Sequence, residues 1–103
     1  MPMIAVCRAD EVTPGEGKRI DLPGRPPLAI FKVDGAFYAT DDTCTHGEAS
    51  LCDGFVEGNV IECPYHAGTF DICTGKALTL PAADPIRTYK VTVDGDQVCV
   101  ELD

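Results

Sequence analysis

The sequence predicts an all-β chain, and three observations carry that reading. Short apolar runs rich in β-branched and aromatic residues recur along it, separated by Gly, Pro and Asp. Asp34-Gly35 stands between two such runs, Ile30–Val33 and Phe37–Ala39, which is the strongest short-range signal for a two-residue hairpin. No segment sustains a helical period, because Pro or Gly interrupts most windows long enough for a helix. At 103 residues the chain reads as one domain, 1–103, able to bury about two-thirds of its unfolded surface.

The expected strands follow in order. Met3–Cys7 and Lys18–Leu22 come first, and then Pro23-Gly24-Arg25-Pro26-Pro27 is a loop by composition. Leu28–Val33 and Ala36–Thr40 form the hairpin across Asp34-Gly35. Glu57-Gly58-Asn59 is a second turn of this kind and leads into Asn59–Glu62; Thr69–Asp71 follows. After the loop Leu80-Pro81-Ala82-Ala83-Asp84-Pro85, strands Ile86–Val93 and Gln97–Leu102 are joined by Asp94-Gly95-Asp96. There are no internal repeats and no interdomain linker.

Two loops carry the chemistry. Cys44-Thr45-His46-Gly47 follows the strand ending near Thr40, and Cys63-Pro64-Tyr65-His66 lies between Asn59–Glu62 and Thr69–Asp71. Each offers one thiolate and one imidazole, sixteen residues separate His46 from Cys63, and both histidines of the protein fall inside the pattern. Two cysteines on one iron and two histidines on the other is the donor set of a Rieske [2Fe–2S] centre. Cys44, His46, Cys63 and His66 are therefore the candidate metal and cofactor ligands, and no residue stands out as catalytic. A structural Cys₂His₂ zinc site is the competing reading, but such sites usually group two Cys in one knuckle and two His in another. Here each loop mixes the two donor types.

Charge and composition narrow the partners. A net charge of −9 argues against nucleic acid, whose phosphates call for Lys and Arg. Asp41, Asp42, Glu48, Asp53, Glu57 and Glu62 gather near the ligands and suggest a negative face that steers a basic partner. No run approaches the roughly eighteen apolar residues of a membrane span. The start Met1-Pro2-Met3-Ile4-Ala5-Val6-Cys7-Arg8 lacks the pattern of a signal peptide, so a soluble cytoplasmic protein is expected. Of the six cysteines, Cys7, Cys52, Cys73 and Cys99 remain outside the ligand pairs. They read as four reduced, partly buried thiols, with Cys99 on the strand face opposite Val98 and Val100; a Cys52–Cys73 bridge has no support. Gly15-Glu16-Gly17 reads as a turn rather than a dinucleotide site, and Thr74-Gly75-Lys76 lacks the Gly-rich stretch of a P-loop.

With these residues in view the chain resembles the Rieske-type ferredoxins of bacterial aromatic ring-hydroxylating dioxygenases. The likeness is strongest from Phe37 to Ala77, through Phe37–Gly47, Asp53–Gly58, Ile61–His66 and Phe70–Ala77. The resemblance implies a Rieske fold of three antiparallel β-sheets with one [2Fe–2S] cluster at a tip formed by two loops. It implies that His46 and His66 reach solvent there and that Pro81–Pro85 covers the cluster. It also implies a soluble, monomeric one-electron carrier in aromatic hydrocarbon catabolism, with two transient partners: a flavin-containing reductase and a Rieske oxygenase. Rieske proteins of respiratory and photosynthetic complexes differ, with a disulfide across the cluster and Ser and Tyr hydroxyls on its sulfurs. The matching positions here are Ala49 and Tyr65, which cannot form the bridge, and Gly68 and Phe70, which have no hydroxyl. With fewer hydrogen bonds to sulfur, a potential near the lower end of the Rieske range is expected, around −150 mV. An oxygenase catalytic subunit is excluded, because its mononuclear iron needs two further histidines and none is left. The alternatives are a small Rieske subunit of a larger redox enzyme of the nitrite-reductase type, or a non-redox zinc module. The aromatic substrate, the reductase's nicotinamide and the individual docking residues are not legible in the chain.

Overall fold

The computed structural model describes residues 3–45, 49–64, 68–79 and 84–102. Its strands are β1 (Met3–Arg8), β2 (Lys18–Ile20), β3 (Leu28–Val33), β4 (Ala36–Asp41), β5 (Phe55–Glu57), β6 (Val60–Glu62), β7 (Thr69–Asp71), β8 (Ala77–Thr79), β9 (Thr88–Tyr89), β10 (Val91–Asp94) and β11 (Gln97–Glu101). Single 3₁₀ turns at Ala9–Glu11 and Leu51–Asp53 are the helical structure among the described residues. The strands form three antiparallel sheets in the orders β1-β11-β10, β2-β3-β4-β9 and β5-β6-β7-β8.

β3 connects the two cores. Successive side chains of a strand point to opposite faces, and in Leu28-Ala29-Ile30-Phe31-Lys32-Val33 both faces are apolar. Leu28 and Ile30 join a cluster with Ile20, Ala39, Val98 and Val100, between the first two sheets. Ala29, Phe31 and Val33 join a second cluster with Cys44, Leu51, Ile61, Cys63, Phe70 and Ile72. Phe31, Leu51, Ile61, Phe70 and Ile72 are essentially fully buried there, each contributing about 1.5–3 kcal/mol of transfer free energy. The second cluster carries both candidate cysteine ligands, so the site rests on the same packing that joins β3 to the third sheet.

The hairpins confirm the turn reading with small shifts. Val33 pairs with Ala36 across Asp34-Gly35, and both turn residues have positive φ (50° and 81°), as a type I′ turn requires. The other two turns are also two-residue loops, Gly58-Asn59 and Gly95-Asp96, closed by Glu57↔Val60 and Asp94↔Gln97. In each of these only the leading glycine has positive φ, the pattern of a type II′ turn.

Beyond one-residue shifts of their ends, the strand expectations change at these places. β5 and β8 are absent from the sequence reading, because three residues show no period and neither adjoins a cysteine loop as β6 and β7 do. Lys18–Leu22 shortens to Lys18–Ile20. The expected strand Ile86–Val93 divides at Lys90: β9 pairs with β4 in one sheet and β10 with β11 in another. The chain changes sheets there, so no single ladder can hold all eight residues.

Candidate metal centre

The two loops are built to one plan. Thr43 pairs with Ser50 as an isolated antiparallel bridge, and Glu62 pairs with Thr69 at the end of the β6–β7 ladder. In each case the next residue is the cysteine. The Cys44 amide donates to the Ala49 carbonyl at 3.0 Å, and the Cys63 amide donates to the Gly68 carbonyl at 2.9 Å. Both bonds span five residues, so two loops of equal length are closed alike and present their cysteines at equivalent places.

Cys44 is 3% and Cys63 2% exposed, and both belong to the apolar cluster around Phe70. Soft sulfur donors suit iron–sulfur chemistry, and a dry apolar surround limits water at the metal. The described half of the donor set therefore fits a cluster held between two loops. His46 and His66 lie outside the described residues, as do Gly47, Tyr65, Leu80 and Pro81. The two positions argued to set the potential are both at the site: Gly68 supplies the carbonyl that closes the second loop, and Phe70 is fully buried beside both cysteines.

The acidic group divides on inspection. Asp42 is 1% exposed, and its carboxylate accepts hydrogen bonds from the Ser50 hydroxyl at 2.6 Å and the Cys52 amide at 3.1 Å. Asp41 accepts from the Tyr89 hydroxyl and lies 3.7 Å from the Arg25 guanidinium. Arg25 also donates to the Tyr89 hydroxyl at 2.8 Å, and the Arg25 and Arg87 guanidinium carbons stand 5.1 and 4.9 Å from the Tyr89 ring centroid. These two carboxylates are structural, which corrects the expectation of a six-residue negative face. Glu48 lies outside the described residues, leaving Asp53 and Glu57 exposed and Glu62 half-buried. Adjacent Asp41 and Asp42 carry no sequence signal of their separate duties; only burial distinguishes them from surface acids.

Cys7, Cys52, Cys73 and Cys99 are half-buried free thiols. Burial first, then the hydrogen bond to Asp42, pushes the Cys52 thiol far above its ordinary range, so it stays protonated. Burial, then Asp41, raises the Tyr89 hydroxyl. The Thr45 hydroxyl donates to the Asp84 carbonyl at 2.9 Å, tying the first loop to the stretch entering β9. Sequence reasoning did not single out Thr45 or Tyr89, and it placed Asp42 on a surface face rather than in the buried role it has. Phe37 packs in the other core, whereas Tyr38 on the opposite face of β4 packs against the cysteines' cluster.

A family model described as the Rieske [2Fe-2S] domain matches residues 2–90. The chain belongs to the Rieske [2Fe–2S] family. This Rieske protein is 46% identical over 101 residues to the ferredoxin component of the p-cumate 2,3-dioxygenase system of Pseudomonas putida, covering 97% of this chain and 86% of that protein. It superposes on the Sphingomonas yanoikuyae B1 ferredoxin with a TM-score of 0.95 at 41% identity, covering 99% of this chain and 100% of that one. It also superposes, at a TM-score of 0.91 and 42% identity, on a chain of the complex of reduced oxygenase and oxidized ferredoxin in carbazole 1,9a-dioxygenase; 98% of this chain and 97% of that one are covered. The Rieske protein accordingly takes one Rieske-type [2Fe–2S] cluster and is an electron-transfer component rather than an enzyme. Among the described residues no helix is long and apolar enough to cross a membrane.

Proposed function

We propose that the whole chain, 1–103, acts as a single cytoplasmic, monomeric one-electron carrier. It takes electrons from a flavin-containing reductase and delivers them to the terminal oxygenase of an aromatic ring-hydroxylating dioxygenase. Cys44 and Cys63 hold one iron, and His46 and His66 hold the other. The observation that carries this reading is the matched pair of loops, each with a buried cysteine at the same place and a histidine within three residues of it. The ferredoxin named for the p-cumate dioxygenase system supports the choice of partner class.

When bound, the cluster supplies a one-electron couple in which the reduced form carries one more negative charge. The chain's own residues do the rest. Cys44 and Cys63 place two sulfur donors in an apolar pocket that excludes water. The Ala49 and Gly68 carbonyls fix where those donors sit. Asp53, Glu57 and Glu62 leave a negative surface that favours a basic partner and weakens with salt.

Low-temperature EPR on ascorbate-treated and dithionite-treated protein tests the centre. A Rieske-type rhombic signal is expected after dithionite alone. Loss of that signal in Cys44→Ser and Cys63→Ser, and its loss or conversion in His46→Cys and His66→Cys, is expected if these are the ligands. Silence in both wild-type samples, with zinc or no metal by analysis, would reject the carrier reading. Stable co-purification with a larger redox enzyme would favour the permanent-subunit alternative.

A further inference from the structure

We infer that Asp42 is the positioning residue of the first ligand loop, doing with one residue what a strand ladder does for the second. The inference rests on Cys44 and His46 being ligands. The second loop stands on a stem of three consecutive pairs, Val60↔Asp71, Ile61↔Phe70 and Glu62↔Thr69, inside a four-stranded sheet. The first loop stands on one isolated bridge, Thr43↔Ser50. Below that bridge the returning limb turns away into the 3₁₀ turn Leu51–Asp53, and the antiparallel pairing stops at this one bridge.

Asp42 replaces the missing rungs. Its carbonyl accepts from the Leu51 amide at 2.7 Å, and its carboxylate accepts from the Ser50 hydroxyl at 2.6 Å and the Cys52 amide at 3.1 Å. One residue on the outgoing limb thus holds three consecutive residues on the returning limb. Its own amide donates to the Pro27 carbonyl at 3.0 Å, which anchors it to the residue before β3.

A carboxylate that is 1% exposed requires compensation. Here the compensation comes from those donors and from the Arg19 guanidinium at 3.9 Å. Buried, fully bonded polar groups of this kind over-determine local geometry. The chain leaves Cys44 two residues later, so displacement of Asp42 displaces the loop that carries a ligand for each iron.

The test uses cluster-loaded, full-length protein with Asp42→Ala, Asp42→Asn and Ser50→Ala. The readouts are the EPR line shape after dithionite and amide hydrogen exchange. Asp42→Ala is expected to broaden the EPR signal and to cut protection of the Cys44 and Leu51 amides by about tenfold or more, leaving the Cys63 amide unchanged. Asp42→Asn, which still accepts from the Cys52 amide and can donate to the Ser50 hydroxyl, is expected to restore both readouts.

Wild-type line shape and wild-type Cys44 protection in Asp42→Ala would overturn the inference. So would equal loss of protection at Cys63, which would mark general destabilisation, or an Asp42→Asn as impaired as Asp42→Ala. If Asp42→Ala does not fold, Ser50→Ala decides, and unchanged exchange at Cys44 and Leu51 would overturn the inference. A wild-type protein without a Rieske signal would instead reject the ligand assignment, while the exchange comparison would still report on the Asp42 clamp.

Discussion

The hydroxyl of Thr45 donates to the backbone carbonyl of Asp84 at 2.9 Å, joining positions thirty-nine apart. Asp84 begins a stretch that is itself fixed on both sides. The Ile86 amide donates to the Gly75 carbonyl at 2.7 Å, and the Arg87 carbonyl accepts from the Asp41 amide at 2.9 Å. Gly75 is required there: its φ is +80°, and a Cβ would come within 2.1 Å of the Ile86 carbonyl oxygen. The first ligand loop is therefore braced against a segment already held by β4 and by the turn after β7.

Thr45→Val keeps the side-chain shape and removes that brace. Because the bond is exposed, the expected loss is about 0.5–1 kcal/mol in urea unfolding, with an unchanged m value and a retained Rieske EPR signal. A change in m would mean that the substitution altered the unfolded or folded ensemble rather than one hydrogen bond.

Phe70 is the place to test what sets the potential. It is fully buried on the inner face of β7, in the cluster that holds Cys44 and Cys63. Phe70→Tyr adds a hydroxyl inside the buried cluster that contains Cys44 and Cys63, and Gly68→Ser adds one at the closure of the second loop. Each should raise the potential from its expected value near −150 mV, and the double substitution should raise it further. A buried hydroxyl with no partner costs about 1–3 kcal/mol. Voltammetry and thermal unfolding on the same samples therefore separate the outcomes: a raised potential with retained stability supports the account, and an unmoved potential with lost stability refutes it.

β3 and β7 are legible in the sequence to the residue. In β3 both faces are apolar and a Gly-containing hairpin bounds one end; β7 is bounded by the cysteine loop. The ligand loops are legible because histidine is rare here and both copies sit beside cysteine. β5 and β8 escape detection because three residues show no period and, unlike β6 and β7, neither adjoins a cysteine loop that marks its end. Ile86–Val93 is misread as one strand because the pattern does not reveal a change of ladder partner at Lys90. The role of Asp42 escapes for a different reason. Two adjacent aspartates look alike in a sequence, and which of them faces the returning limb of the loop is decided by tertiary pairing of Thr43 with Ser50.

The exposed surface of the third sheet gives a prediction about partners. Phe55 is 67% exposed, and it pairs across β5–β6 with Glu62, while Glu57 pairs with Val60. Apolar and acidic side chains thus alternate around a concavity of about 380 Å³, with Glu62 and Thr69 at the foot of the second ligand loop. Glu57→Lys/Glu62→Lys should slow electron transfer to cytochrome c, a basic acceptor, by about tenfold at low salt and flatten its salt dependence. Asp94→Lys/Asp96→Lys on the β10–β11 turn makes the same change in net charge and serves as the control. Equal slowing by both variants in stopped-flow measurements would assign the effect to total charge, not to this face.

Cys52 links the first loop's clamp to alkaline stability. Its sulfur lies where a Cβ on Gly17 would come within 3.1 Å, and burial followed by the Asp42 carboxylate raises its thiol far above the ordinary range. A group whose folded pKa is raised holds its proton more tightly in the folded state. Its contribution is complete below the unfolded thiol value, about 8.5–9, and is lost as pH rises beyond it, because the unfolded thiol ionises and the folded one does not. Stability should therefore fall above pH about 9, by up to about 1.4 kcal/mol per pH unit for this one proton. Tyr89, raised by burial and then by Asp41, adds to the decline only above about pH 10. Cys52→Ala removes the thiol's share and leaves that of Tyr89. The difference between wild-type and Cys52→Ala stability, measured by urea unfolding from pH 7 to 10, should be flat to about pH 8 and then decline. A difference that stays flat to pH 10 would show that the folded thiol ionises as readily as the unfolded one.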